Sequence, residues 1–208
     1  MLPPPAPSKP RRTAGFTLVE IMFVVSIMVL LFAVGAAGAK KSWQSQELRA
    51  SAIHLTHDLS LACLTAQKLN QPVEVRFYQY MADVIASPDP HYHAYQLLTY
   101  DSTLGKLMPL YELQTFEGTT LMSPNARFTS IMHPPQSYNA ATDPNLIIGN
   151  YQYISIEFRP NGTTNLAQDA PPWTITLIPA LAADNSGTLP KEYQVIRIHP
   201  DSGTVQLY

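Results

Sequence analysis

Residues 11–41 read RRTAGFTLVEIMFVVSIMVLLFAVGAAGAKK, and this stretch decides how the rest of the chain is organised. Phe16 to Ala39 is a run of 24 residues with Glu20 as its one charge. A helix of that length, at about 1.5 Å per residue, spans the roughly 30 Å hydrocarbon core of a bilayer. A charge at the centre of such a helix costs about 2.5–3.5 kcal/mol on insertion scales, and less near its ends. A tolerated acid there points to a function. Lys9, Arg11 and Arg12 precede the run, and Lys40 and Lys41 follow it. The leading cations place the N-terminus in the cytoplasm, the lysine pair opposes this, and a folding domain downstream favours export of the C-terminus. Met1–Pro10 is proline-rich and reads as an extended tail. A secretory signal would have a shorter apolar region of about 7–15 residues. An ordinary signal anchor accounts for the length but not for Glu20.

Composition bounds what lies beyond. The 208 residues suit one domain plus an appendage, and 19 prolines with 9 glycines point to many turns rather than a helical bundle. Cys63 is the single cysteine, so no intrachain disulfide can form and packing must hold the domain. From Ser42 onward eight basic residues face fourteen acidic ones, a balance of −6. That excess of acid disfavours sequence-independent nucleic-acid binding, which depends on neutralising phosphates.

Helical periodicity continues from Ser42 to about Leu69. Leu48, Ala52, Leu55, Leu59, Ala62, Ala66 and Leu69 recur at alternating steps of four and three, forming one apolar stripe. Gln46, Arg49, Asp58 and Lys68 occupy the opposite side, and Asn70, Gln71 and Pro72 end the helix. From Phe16 the helix would run roughly 80 Å. After Pro72 the period becomes two: Val73, Val75 and Phe77 alternate with Glu74, Arg76 and Tyr78, as in a half-buried strand. Further strands are expected at 95–100, 107–113, 153–158, 173–178, 193–199 and 204–208. Turns are expected at Asn161-Gly162, Asn185-Ser186-Gly187 and Asp201-Ser202-Gly203. The expected fold is α+β, with an antiparallel sheet laid over the amphipathic half of a long N-terminal helix.

The stretch GFTLVE, Gly15 to Glu20, resembles the processing motif of type IV prepilins and type II secretion pseudopilins. The resemblance implies a prepilin peptidase that cuts after Gly15 and methylates the new amine of Phe16, leaving Glu20 as the fifth mature residue. It implies a role for Glu20 in filament assembly, paired with the amine of an adjacent subunit. An acid in a first helical turn is favoured by the helix dipole, and low dielectric strengthens its pairing with an amine. The implied layout is a leader at 1–15, a transmembrane half-helix at 16–39, an amphipathic half at 40–69 and a periplasmic β-rich domain at 70–208. The implied location is the bacterial inner membrane, crossed once, with the N-terminus cytoplasmic. Many family members kink this helix with a proline where this chain has Ala37, flanked by Gly35 and Gly38; each glycine weakens helix by about 1 kcal/mol.

ISIEFRPNGTTN and YQVIRIHPDSGTVQLY resemble the closing strands of GspH/FimT-type minor pseudopilins. The overall style is also similar to a group of verrucomicrobial prepilin-like cassette proteins. The partners these likenesses imply are prepilin peptidase, other pilin or pseudopilin subunits, inner-membrane lipid and secreted cargo. Some FimT-like minor pilins bind DNA through arginines near the C-terminus. Here PDSGTVQLY, Pro200 to Tyr208, has no Arg or Lys, and Arg197 stands alone, so DNA is not an expected partner. The alternatives are a signal-anchored periplasmic binding domain that enters no filament and, as a minor one, a DNA-uptake minor pilin.

His54 and His57 lie three apart on the predicted helix, and His91 and His93 lie two apart beside Asp89. Two histidines are too few for a closed metal site, and packed or solvent-facing histidines are the expectation. Cys63, beside the apolar stripe, reads as a small buried hydrophobe. Asn161-Gly162-Thr163 reads as a turn rather than a glycosylation acceptor. No phosphate loop, nucleophile elbow or zincin helix occurs, so neither catalytic residue nor cofactor is expected. The stretches 83–93 and 123–150 read as long irregular loops, serving either as partner surfaces or as decoration.

Overall fold

The computed structural model describes residues 16–80, 91–101, 104–132, 136–139, 150–168, 172–180 and 188–208, with side chains at 34–41, 80, 136–139 and 150 outside that description. Helix α1 covers Leu18–Leu69. The strands are β1 (Val73–Tyr80), β2 (Ala94–Asp101), β3 (Lys106–Pro109), β4 (Gln114–Thr115), β5 (Thr120–Met122), β6 (Gln136–Asn139), β7 (Asn150–Phe158), β8 (Trp173–Pro179), β9 (Gln194–Ile198) and β10 (Val205–Leu207). Two compact units result, Met1–Ser42 and Trp43–Tyr208.

In the first unit, the described part of α1 is apolar all round. Leu18, Val19, Met22, Phe23, Met28, Leu31 and Phe32 are all exposed, on every side of the helix. Glu20 in the first turn and Ser26 are polar, and the Ser26 hydroxyl donates to the Met22 carbonyl one turn back at 2.8 Å, satisfying itself within the helix. Among the described residues no helix is long and apolar enough to cross a membrane. The run read in the sequence as Phe16–Ala39 continues past Ala33 into residues 34–41, whose side chains are outside the description.

In the second unit, the apolar stripe of α1 is buried as its spacing demands. Leu48, Ala52, Leu55, Leu59, Ala62 and Ala66 are at most 2% exposed. Leu69 departs from the expectation and is exposed, because the helix ends there. Its end is a Schellman turn: Asn70 takes the left-handed φ of 51°, the Asn70 amide donates to Gln67 O, and the Gln71 amide donates to Ala66 O. Asparagine tolerates that conformation better than most residues.

The expected single sheet is two sheets. A six-stranded antiparallel sheet runs β3-β2-β1-β7-β6, with β4 also paired to β2; a four-stranded antiparallel sheet runs β10-β9-β8-β5. Alternation assigns a side chain to a face but says nothing of which strand lies next, so sheet membership was not written in the pattern. Val73, Val75, Phe77, Ile154, Ile156 and Phe158 from the first sheet meet Ile175, Leu177, Ile196 and Ile198 from the second in one core with the helix stripe.

Two turns lock the sheets together against the helix. Thr164 donates its amide to Pro200 O, joining the turn after β7 to the turn after β9. Gly162 and Gly203 lie in these turns with left-handed φ of 84° and 60°. A β-carbon on Gly203 would stand 2.7 Å from Cys63 Sγ and 2.7 Å from Gly162 O. Glycine is therefore required there twice over, by conformation and by space.

Three further expectations are corrected. The strand from Val73 is not half-buried, since Arg76 and Tyr78 on its second face are also buried. The segment at 107–113 stays in the ladder only to Pro109, and Gln114–Thr115 then pairs separately with Ala94–Tyr95. The stretch from Ser123 is not a loose loop. Ser130 and Thr174 exchange hydroxyl and amide bonds, Thr129 Oγ1 receives the Thr176 amide, and Ile131 is buried. These hydroxyls satisfy the edge of β8 where no backbone ladder reaches it. Later in the same stretch, Gln136–Asn139 pairs with β7. Most of 83–93, including Asp89, and the turn at 185–187 lie outside the described residues.

Candidate functional site

Thr17 opens α1. Its carbonyl receives the amides of Glu20 at 3.1 Å and Ile21 at 3.2 Å, and its Oγ1 receives the Glu20 amide at 3.3 Å. Thr17 is thus the N-cap, and Glu20 is the third residue of the first turn, the threonine-x-x-glutamate spacing of a capping box. The helix dipole favours a carboxylate at that position. Phe16, one residue ahead of the cap, is 79% exposed. Gly15 lies outside the described residues.

A second feature lies on the domain, where α1 faces β2 and β4. Ser51, Ile53, His54, His57, Asp58, Tyr95, Gln114 and Glu117 are among the residues lining a groove of about 440 Å³. Tyr95 donates its hydroxyl to Asp58 Oδ2 at 2.7 Å, and its ring is buried against Phe116 and Phe77. Burial, the bond to Asp58, and the nearby charges of Asp58 and Glu117 all push the Tyr95 phenol well above its ordinary range. His54 Nδ1 lies 3.2 Å from Glu117 Oε1, and His57 Nδ1 lies 3.4 Å from Asp58 Oδ1. Ser51 Oγ receives the Glu117 amide at 2.8 Å and fixes the loop that carries that acid. Among the described residues, no group of three or more His, Cys, Asp or Glu side chains could hold a metal.

The far face of the first sheet carries a smaller aromatic cluster. Tyr78 stacks edge-on against Tyr151 and tilts against Tyr153, and the Arg76 guanidinium lies 4.4 Å from the Tyr153 ring centre. Arg76 donates Nε to Glu74 Oε1 at 2.9 Å and Nη2 to Oε2 at 3.2 Å. Burial alone would lower the arginine's pKa, but the bond and charge of Glu74 overcome it and hold the cation firmly protonated.

Residues 10–36 match the prokaryotic N-terminal methylation motif. The matched segment contains the stretch Gly15 to Glu20. Among curated proteins none matches this chain. The structure is similar to the type IV minor pilin FimU of Pseudomonas aeruginosa, at 15% identity and a TM-score of 0.44, covering 78% of this chain and 89% of that one. It is also similar to the minor pseudopilin EpsH of the type 2 secretion system of Vibrio cholerae, at 12% identity and a TM-score of 0.42, covering 78% and 96%. The fold expected from the family is the one found, an N-terminal helix whose second half packs on antiparallel sheets.

The residues singled out in the sequence fall in separate places. Glu20 is in the first turn of the helix. His54 and His57 face solvent on the domain, whereas His91 is buried near β2. Cys63 is buried in the core, where burial pushes its thiol up despite the Gln67 amide. Asn161-Gly162-Thr163 forms a tight turn in which Asn161 Oδ1 receives both the amide and the hydroxyl of Thr163. Sequence reasoning missed Glu117, which joins His54 across 63 residues, and the Tyr95–Asp58 bond. Neither pair has a local signature, because both partners become neighbours only when β2 and β4 close over the helix.

Proposed function

We propose that this chain is a minor pilin-like or pseudopilin-like structural subunit of a type II secretion or type IV pilus-like filament. Prepilin peptidase would cut after Gly15, and Phe16 would become the methylated first residue. Glu20 would then set subunit register against the amine of a neighbour. The segment at 16–39 would hold the subunit in the inner membrane with the domain in the periplasm, until neighbouring subunits replace lipid around it. No residue is given a catalytic role, and no cofactor is invoked.

The observation that carries this reading is the methylation motif at residues 10–36, which contains Gly15, Phe16 and Glu20 at the family's spacing. The helix that follows supports it: an all-round apolar surface needs lipid or neighbouring helices to cover it. The first-turn position of Glu20 supports it as well, since a carboxylate at N3 is compatible with the helix and available to a partner amine. Coexpression with a prepilin peptidase, followed by mass spectrometry of the purified chain, tests the reading. A mature N-terminus at Phe16, methylated, is expected. An intact leader would leave a plain signal-anchored domain and end the filament proposal.

A further inference from the structure

His54 and His57 are exposed one turn apart on α1, and both line the groove that also holds Asp58 and Glu117. Residues three apart on a helix carry their β-carbons about 5–6 Å from each other, and a pair of ligands at that spacing can serve one ion. The groove lies wholly within the unit Trp43–Tyr208.

Each imidazole is turned by a carboxylate. Glu117 Oε1 stands 3.2 Å from His54 Nδ1, and Asp58 Oδ1 stands 3.4 Å from His57 Nδ1. A carboxylate at Nδ1 keeps the ring proton there, so Nε2 presents its lone pair and gains basicity, as in histidines that bind a metal. Both acids are held in their turn. Asp58 Oδ2 receives the Tyr95 hydroxyl at 2.7 Å, and Ser51 Oγ receives the Glu117 backbone amide at 2.8 Å. Neither Tyr95 nor Ser51 brings a positive charge, and the described residues that line the groove include no Lys or Arg. Two carboxylates therefore stand behind two imidazoles with no lysine or arginine among them.

From this geometry we propose that His54 and His57 form an open two-histidine site for a borderline-soft divalent cation of the zinc, nickel and copper class. Imidazole nitrogen suits those ions, whereas magnesium and calcium take oxygen ligands. Among the described residues no third His, Cys, Asp or Glu completes the set, so water fills the remaining positions and the ion is held less tightly than in a structural zinc centre. Glu117 and Asp58 are positioning residues, which orient the rings and offset the charge of the ion. The inference stands apart from the filament reading, since it uses no residue before Ser51 and no processing step.

The test is calorimetric titration of the full, untagged chain in detergent with zinc, and with magnesium as the comparison. A saturable zinc site is expected, with no matching magnesium site. His54→Ala and His57→Ala should each weaken zinc binding about tenfold or more, and Glu117→Gln, which keeps the shape and loses the charge, should weaken it about tenfold. Absence of saturable zinc binding overturns the inference. So does zinc binding that survives in the doubly substituted His54→Ala, His57→Ala chain, which would be an adventitious ion only. Magnesium bound as tightly as zinc would mean that carboxylates hold the ion without the imidazoles, and it overturns the assignment as well. Glu117→Gln binding zinc as tightly as the native chain overturns the carboxylate-set geometry on which the site is built. Should an alanine variant fail to fold by circular dichroism, the glutamine variants at the same positions carry the same expectation.

Discussion

Gly203→Ala is the substitution whose cost can be worked most directly from the structure. Gly203 has a φ of 60°, and left-handed backbone costs a residue with a β-carbon about 1–2 kcal/mol. The added methyl would lie 2.7 Å from both Cys63 Sγ and Gly162 O, and 3.4 Å from Phe158 Cδ1. Forcing a methyl group into a filled site costs a further 1–3 kcal/mol or so. The total is about 2–5 kcal/mol, which for a domain of this size lowers Tm by roughly 4–20 °C. Gly105→Ala is the matched control, because its φ is 65° but its nearest neighbour is Tyr100 Oη at 3.8 Å, so only the backbone cost applies. Adding Cys63→Ala to Gly203→Ala should recover part of the loss, since the thiol can be removed but the Gly162 carbonyl cannot. Thermal unfolding of the full chain in detergent, followed by circular dichroism, gives all four values. A Gly203→Ala midpoint no lower than that of Gly105→Ala would refute the claim that the two turns close against the helix at Cys63.

Three other perturbations separate the parts of the molecule. Glu20→Gln should be cleaved by prepilin peptidase as the native chain is, yet fail to enter filaments; equal incorporation in a sheared-filament assay would remove Glu20 from assembly. Glu74→Ala should cost about 3–5 kcal/mol because it leaves the buried Arg76 without its bidentate partner, whereas Arg76→Met should cost less. Urea midpoints in the reverse order would contradict the pairing. Burial pushes the Tyr92 phenol up to about 12, so its contribution is complete below the unfolded value of about 10 and is lost as pH rises through 12. The urea midpoint should fall across that window, and Tyr92→Phe should make the fall shallower.

How much of this was legible in the sequence depends on whether the interaction is periodic. Leu48, Leu55, Leu59 and Ala66 announce themselves because a helix repeats, and Val73, Val75 and Phe77 do so because a strand alternates. Glu20 stood out for a different reason: it is the one charge in the 24-residue run Phe16–Ala39. The second face of β1 was misread because Arg76 and Glu74 look like a solvated face, and only Tyr151 and Tyr153, some 75 residues later, turn that face into a small core. The same holds for the hydroxyls of Thr129 and Ser130. Composition marked their segment as a loop, but they stand where strand backbone would and close the edge of β8.

Periodicity therefore reports which face is dry and is silent about which distant segment makes it dry. That silence matters most where β2 and β4 close over the helix. Tyr95 and Asp58 lie 37 residues apart, and nothing in either neighbourhood pairs them. The same closure sets Glu117 beside His54. A buried phenol bonded to a carboxylate belongs to no period of either segment, and it exists only once both segments are in place.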